Sequence, residues 1–474
     1  MSRSRSLRRL TALLAVLAVP FTAARAQTAS TLPRAMDPLV QNMDPSVSPG
    51  ADFFKYANGG WLKRNPIPAS ERGWGIANLV DEETYRQRIT ILDGAAKANA
   101  EPGTSAQKVG DFWATAMDSM RAERLGAQPL APFLKRIADV HTRRDLLALI
   151  ANLHVSYISP MYDLYVGQDE KASERMIVHL SQGGLGMPDR DYYFGKDANT
   201  VRVRNAYVRH VAAMFRLLGE DSVTAKTSAA TVMRLETAFA RRSRTLEQRR
   251  DPWANYHKMS LAELNRLTPT IDWAAQFTAM GVPVQDTVIV GQPEFLKQVD
   301  SCLSVARLSE WQTYLRWNVV NALAPTLSNA FVTQDFEFFS KTLSGTTAQR
   351  PRWKRVLDAT ENAIGELVGQ EWVKRYCSPA TKARYTKLTE DIISVYRERI
   401  AALPWMSEAT KQAALVKLAK VNRKVAYPDQ WRDFSSLTIG RESYTANQVA
   451  ANAWWFQHGV DKLGKPVDRT EWDM

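Results

Sequence analysis

Residues Trp353–Tyr376 read W-K-R-V-L-D-A-T-E-N-A-I-G-E-L-V-G-Q-E-W-V-K-R-Y. Val356, Thr360, Ala363, Ile364, Leu367 and Val368 recur three and four places apart, which puts them on one stripe of a helix. No alternation of period two runs through the segment, so a strand is excluded. The same period continues outward. Tyr385, Leu388, Ile392, Val395, Tyr396 and Arg399 form a second stripe, with Lys387, Glu390, Asp391 and Glu398 opposite. Ser407 and Glu408 make an N-cap and first turn for a helix over 409–421, and Pro428 lies beyond its end. Upstream, the spacing predicts helices over 106–120, 144–153, 204–218 and 228–242. Strand candidates are few: Met161–Val166, Met176–Leu180 and Thr287–Val290. The fold class is therefore mostly α, a large multi-helix unit with a few short β-strands. No repeat of fixed period is present.

The chain ends differ from this body. Arg3, Arg5, Arg8 and Arg9 precede an apolar run over Leu10–Ala18, and Ala24-Arg25-Ala26 follows as a small-residue cleavage site. This is the pattern of a signal peptide over residues 1–26, too short to span a bilayer. No Cys follows the run, so a lipoprotein anchor is excluded. Residues 27–50, rich in Ser, Pro, Asp and Gln, read as an extended leader. No further stretch is long and apolar enough for a membrane span. The mature protein is expected in the periplasm or secreted.

Composition supports a globular protein: of 474 residues 45% are apolar and 23% charged, and the 14 Trp promise large buried anchors. The formal charge of +13 includes five arginines of the signal peptide, none offset by an acid, which leaves +8 for the mature chain. That balance is mild, and an exported protein rarely meets nucleic acid. Cys302 and Cys377 are the two cysteines. An exported compartment permits a bridge between them, and two separate buried thiols is the alternative.

Motifs that carry chemistry are scarce. The histidines are His141, His154, His179, His210, His257 and His458. No two are four apart, so no His-Glu-x-x-His helix can offer two imidazoles to one zinc. The reading for each is a surface or hydrogen-bonded side chain. Arg241, Arg242, Arg244, Arg249 and Arg250 are the densest basic cluster; a solvated helix end is favoured over an anion site. Gly183, Gly184 and Gly186 lack a third dinucleotide-type glycine and read as a turn. The acids Asp81-Glu82-Glu83 and Glu390-Asp391 sit on helices without singling out an acid–base couple. The sequence thus assigns no catalytic residue and no metal ligand.

Several ordered stretches together resemble the neprilysin-like zinc metallopeptidases. Asp52–Pro68, D-F-F-K-Y-A-N-G-G-W-L-K-R-N-P-I-P, is similar to the family's opening motif. Leu185–Tyr193 (L-G-M-P-D-R-D-Y-Y) and Arg249–Leu261 (R-R-D-P…Y-H-K-M-S-L) follow at the family's spacing. Pro404–Leu418 (P-W-M-S-E-A-T-K-Q-A-A-L-V-K-L), Ala426–Asp429 (A-Y-P-D) and Asp468–Trp472 (D-R-T-E-W) complete the set. Ala426 stands where the family usually has Gly.

The resemblance implies two mostly helical lobes around an enclosed cavity, a zinc cofactor and endopeptidase action on oligopeptides. In the family a substrate-binding N-A-x-Y segment, the His-Glu-x-x-His helix and a downstream Glu follow the D-R-x-E-W block. On that basis residues 51–474 are expected to be the N-terminal domain alone, without the zinc-binding half, binding no zinc and inactive by themselves. Residues 51–95 and about 430–474 are expected to pack on the missing catalytic lobe. The family's arginine that holds the substrate's C-terminal side matches Arg72; a guanidinium suits a carboxylate. A second family arginine falls on Val80, so that role does not carry over. Trp61, Tyr192 and Tyr193 read as packing and loop anchors. Three readings stay open: a truncated enzyme lobe, one subunit of a peptidase whose catalytic half is separately encoded, and a non-catalytic periplasmic peptide-binding or scaffold protein.

Overall fold

The computed structural model describes residues 37–472. The signal peptide (1–26), residues 27–36 of the leader and Asp473-Met474 lie outside the described residues. The chain divides into a short unit ending at Ile67 and a large unit from Pro68 onward.

The short unit holds two helices, Pro38–Asn42 and Phe53–Arg64, capped by Asp37 and Asp52. The N-G-G-W stretch has a packing reason. A Cβ at Gly60 would stand 2.7 Å from the Met43 carbonyl oxygen, and one at Gly59 would stand 2.6 Å from Asp44 Cβ. Only glycine lets the second helix lie this close to residues 41–44. Lys63 then pairs with Asp44 at 2.8 Å, and Arg64 donates to Gln41 O and Asn42 Oδ1. Trp61 sits half-buried here.

The large unit is mostly helical, and each helix of the sequence reading is present. Ser105–Met117, Arg143–Val155, Ala198–Leu217, Ser222–Ala240, Pro379–Ala402 and Glu408–Ala419 cover the expected segments. Side chains of Thr104, Thr142, Asp197, Asp221, Ser378 and Ser407 cap their first turns. The helix Arg352–Tyr376 breaks at Ile364, whose φ of −141° is not helical, beside Gly365. Local spacing gives no sign of that break.

One four-stranded sheet runs in the order β1-β2-β4-β3, with β1 Tyr162–Asp169, β2 Ala172–Gln182, β3 His257–Ser260 and β4 Thr287–Val290. β1 and β2 form an antiparallel hairpin pairing Tyr162 with Gln182. β4 adds parallel to β2 and antiparallel to β3. The three expected strands are present; β3, only four residues long, carries no sequence signature.

Two hydrophobic cores organise the unit. The larger draws mainly on residues 130–338 and takes in Trp273, Trp311, Trp317 and Tyr207, all essentially fully buried. The smaller joins Leu92, Phe112, Trp113, Val356, Leu357, Ile364, Phe434 and Tyr444. The helix Tyr444–Val460 serves both: Tyr444 and Ala451 enter the smaller core, Phe456 and Val460 the larger. Cys302 and Cys377 are separate buried free thiols.

The Pro379–Ala402 stripe behaves differently. Tyr385, Leu388, Ile392, Val395 and Tyr396 are each about half exposed, and no residue of that helix or of Glu408–Ala419 is buried. An uncovered apolar face of this kind drives association. The purified chain is expected to self-associate, and Leu388→Lys with Ile392→Lys to shift it toward monomer in light scattering. A monodisperse unmodified monomer would count against this.

Candidate functional site

Arg72 lies in the coil between Pro68 and the helix Ile76–Lys97, exposed at the edge of a cavity of about 560 Å³. That volume lies within the ~300–1,000 Å³ range of small-ligand sites. Among the described residues no hydrogen-bond or ion-pair partner holds its guanidinium. Its chain neighbour Glu71 is engaged instead by Arg350 Nε at 3.3 Å. Arg350 also donates to Asp358 Oδ2 at 2.6 Å and to Tyr85 Oη at 2.9 Å. The loop carrying Arg72 is tied in by Ala69, whose carbonyl accepts from the amides of Thr347 and Ala348.

The inner wall comes from the first turn of Arg352–Tyr376, which supplies Arg352 and Arg355. Asp335, Asp358, Thr346 and Tyr444 are among the other polar residues that line it. Burial pushes the Asp335 carboxyl up to about 6, against the pull of Arg355. Burial lowers both Arg352 and Arg355, and Arg352 lowers Arg355 further. The cavity therefore mixes cations under desolvation with a carboxyl that gives up charge readily. Sequence reasoning named Arg72 through the resemblance. It missed the other lining residues, which are far apart in sequence and meet only in three dimensions. Val80 is exposed on Ile76–Lys97.

A second cavity, of about 570 Å³, is aromatic: Trp372, Trp431, Trp455, Trp472 and Tyr427 line it. Gly365 and Gly369, beyond the break at Ile364, also line it, and the pairs Arg88–Glu361 and Arg432–Glu366 frame it.

The remaining candidate groups have structural partners. Arg244 forks onto Glu294 and donates to Asn255 Oδ1, while Arg241, Arg242, Arg249 and Arg250 are exposed. Glu82 pairs with Lys354, Glu390 with Arg423 and Asp391 with Lys387. Gly184, at φ 70°, makes a turn, and a Cβ at Gly186 would overlap the Tyr207 hydroxyl. Tyr193 Oη accepts from the Met187 amide and donates to Glu236 Oε2, which anchors the L-G-M-P-D-R-D-Y-Y loop; Tyr192 is half-buried beside it.

The described residues do not fit a zinc ion. No three His, Cys, Asp or Glu side chains among them converge as a metal ligand set. His458 reaches Glu471 at 2.8 Å, but that carboxylate is also held by Lys462 at 2.7 Å and Arg432 at 3.2 Å. Those contacts hold Glu471 down to about 2, the His458 hydrogen bond contributing most. This is an ion-pair knot that fastens the D-R-T-E-W segment, with two cations where a metal would need free lone pairs. No helix among the described residues is long and apolar enough to cross a membrane.

The chain belongs to peptidase family M13, the neprilysin-like zinc metallopeptidases, whose profile matches residues 49–428. It is 27% identical over 456 residues to endothelin-converting enzyme 1 of Homo sapiens, covering 92% of this chain and 58% of that protein. To neprilysin-3 of Drosophila melanogaster it is 26% identical over 465 residues, covering 92% and 59%. The fold is similar to the crystal structure of the Mycobacterium tuberculosis zinc metalloprotease Zmp1 in complex with an inhibitor. There the TM-score is 0.85 at 34% identity, over 91% of this chain and 66% of that one. The chain thus spans less than two thirds of the length of each of these relatives.

Proposed function

We propose that residues 51–474 are the substrate-holding N-terminal lobe of an exported zinc metalloendopeptidase acting on oligopeptides, and that this polypeptide by itself does not hydrolyse them. The observation that carries the reading is Arg72: an unpaired guanidinium at the rim of a peptide-sized cavity, in a chain whose described side chains supply no zinc ligand set. Zn²⁺ of the catalytic kind needs three protein ligands and a water, and supplies an activated hydroxide and a Lewis acid when bound. Arg72 is suited to orient the peptide by its carboxyl side; it moves no proton. The half-exposed stripe Tyr385–Tyr396, residues 51–95 and residues from about 430 onward are the faces assigned to a catalytic half, in the same or a separately encoded polypeptide. A non-catalytic peptide-binding role is the second reading, favoured by a cavity that is complete within this chain.

The test is peptidase activity of residues 27–474 with added zinc, alone and mixed with a His-Glu-x-x-His-bearing half. No cleavage alone and cleavage after mixing are expected. In the reconstituted enzyme Arg72→Gln is expected to raise KM about tenfold or more, as for a lost charge-assisted contact. Chelator-sensitive cleavage by the chain alone would overturn the reading. Binding without cleavage in both arms would favour the second. N-terminal sequencing of the exported product should begin at Gln27.

A further inference from the structure

We propose that Arg352 and Arg355 form a second anion-binding subsite inside the Arg72 cavity, built to receive a carboxylate presented by a peptide. The inference rests on the reading of this lobe as a peptide holder. Three places apart on the first turn of one helix, the two arginines share a face. Each is fixed by its Nε: Arg352 donates to Ala116 O at 2.9 Å and Arg355 to Arg350 O at 3.0 Å. Their terminal guanidinium nitrogens have no hydrogen-bond or ion-pair partner among the described residues.

Arg350 shows the contrast. It lies in the same cavity and is held by hydrogen bonds to Asp358 and Tyr85 and an ion pair with Glu71. Asp335 also lines the cavity but makes no ion pair with either free arginine. Two like charges, half-buried side by side, are unfavourable unless an acceptor-only group bridges them. The hydroxyls support such a group. Thr346 is 7% exposed with no partner for its Oγ1 among the described residues, and the Tyr444 side chain lines the same cavity. Four donors around one cavity select an acceptor with several lone pairs, a carboxylate or a phosphate. Guanidinium forks suit both.

The experiment is isothermal titration of the mature chain with three probes: N-acetylated trialanine, its C-terminal amide, and inorganic phosphate. The free acid is expected to bind at least about tenfold more tightly than the amide. Phosphate is expected to bind and to compete with the acid. Arg355→Gln should abolish the acid-over-amide preference and phosphate binding. Thr346→Val, which keeps the side-chain shape, should weaken phosphate severalfold; circular dichroism melts check that both variants fold. Phosphate binding that Arg355→Gln removes, without any peptide binding, supports the subsite and overturns the peptide-holding reading. Equal affinity for acid and amide with no phosphate binding overturns the subsite and leaves peptide holding intact. Phosphate binding unchanged in both variants also overturns it.

Discussion

Replacing Glu236 with alanine is expected to destabilise the large unit by about 3–5 kcal/mol, from buried donors left unpaired at about 1–3 kcal/mol each together with the cavity left behind. Glu236 is 1% exposed in the middle of the larger core. Its Oε1 accepts from Tyr207 Oη at 2.8 Å and from Trp317 Nε1 at 3.2 Å, and its Oε2 from Tyr193 Oη at 2.8 Å. Removing the carboxylate leaves three buried donors unanswered and a void beside Tyr207 and Trp317, rings packed edge to face at 5.9 Å. Tyr193 also anchors the loop over Leu185–Tyr193, so that loop should loosen before the helices melt. Urea unfolding with hydrogen exchange at Met187 checks both. A loss below about 1 kcal/mol would mean that water or repacking satisfies the donors.

The second large effect is acid sensitivity set by two buried histidines. Burial holds His154 down to about 3 and His210 down to about 4. His154 stacks on Tyr162 at 4.6 Å, and His210 on Phe338 at 5.0 Å with Gln334 bonded to its Nδ1. Among the described residues the Nε2 of each has no hydrogen-bond partner. Both folded values lie below the ordinary 6.5, so the unfolded chain takes up protons that the folded chain refuses. Stability is full above pH 6.5 and falls with pH by about 1.4 kcal/mol per unit per histidine. The decline ends near pH 4 for His210 and near pH 3 for His154.

Glu236 acts with the opposite sign. Burial raises it to about 7, although its three donors pull it down, so its contribution is full below its ordinary 4.5 and is lost as pH rises through 7. Between pH 7 and 4.5 it offsets much of the histidine loss; below 4.5 the histidines act unopposed, joined by Glu471 and Asp169, both held near 2. The wild-type curve should be shallow and then steep. His154→Phe isolates one contribution: its stability relative to wild type should rise by about 3 kcal/mol between pH 7.5 and pH 4. Parallel urea midpoints at the two pH values would refute it.

What could be read in advance depended on distance along the chain. Val356, Leu367 and the other stripe residues repeat within one helix, so they declared it. The break at Ile364 did not show, because tertiary packing sets that backbone angle. His154 and His210 look like any other His in sequence; burial is a property of what surrounds them. Tyr193 could be named as a loop anchor, but not its partner Glu236, 43 residues on. Arg72 was reachable only through its motif neighbourhood. Arg352, Arg355, Thr346 and Tyr444 carry no shared local pattern, so their cavity was invisible.

The sequence by itself determined the helical class, three of the four strands, the Ser407 helix cap and the family, because each rests on contacts or motifs a few residues wide. Tertiary structure alone decided the division into two cores, the isolation of Cys302 from Cys377, the burial of Glu236 among three donors and the pairing of Arg352 with Arg355 beside Arg72. Those depend on which distant segments exclude water together, and desolvation is a property of the assembled neighbourhood that no single stretch of chain encodes.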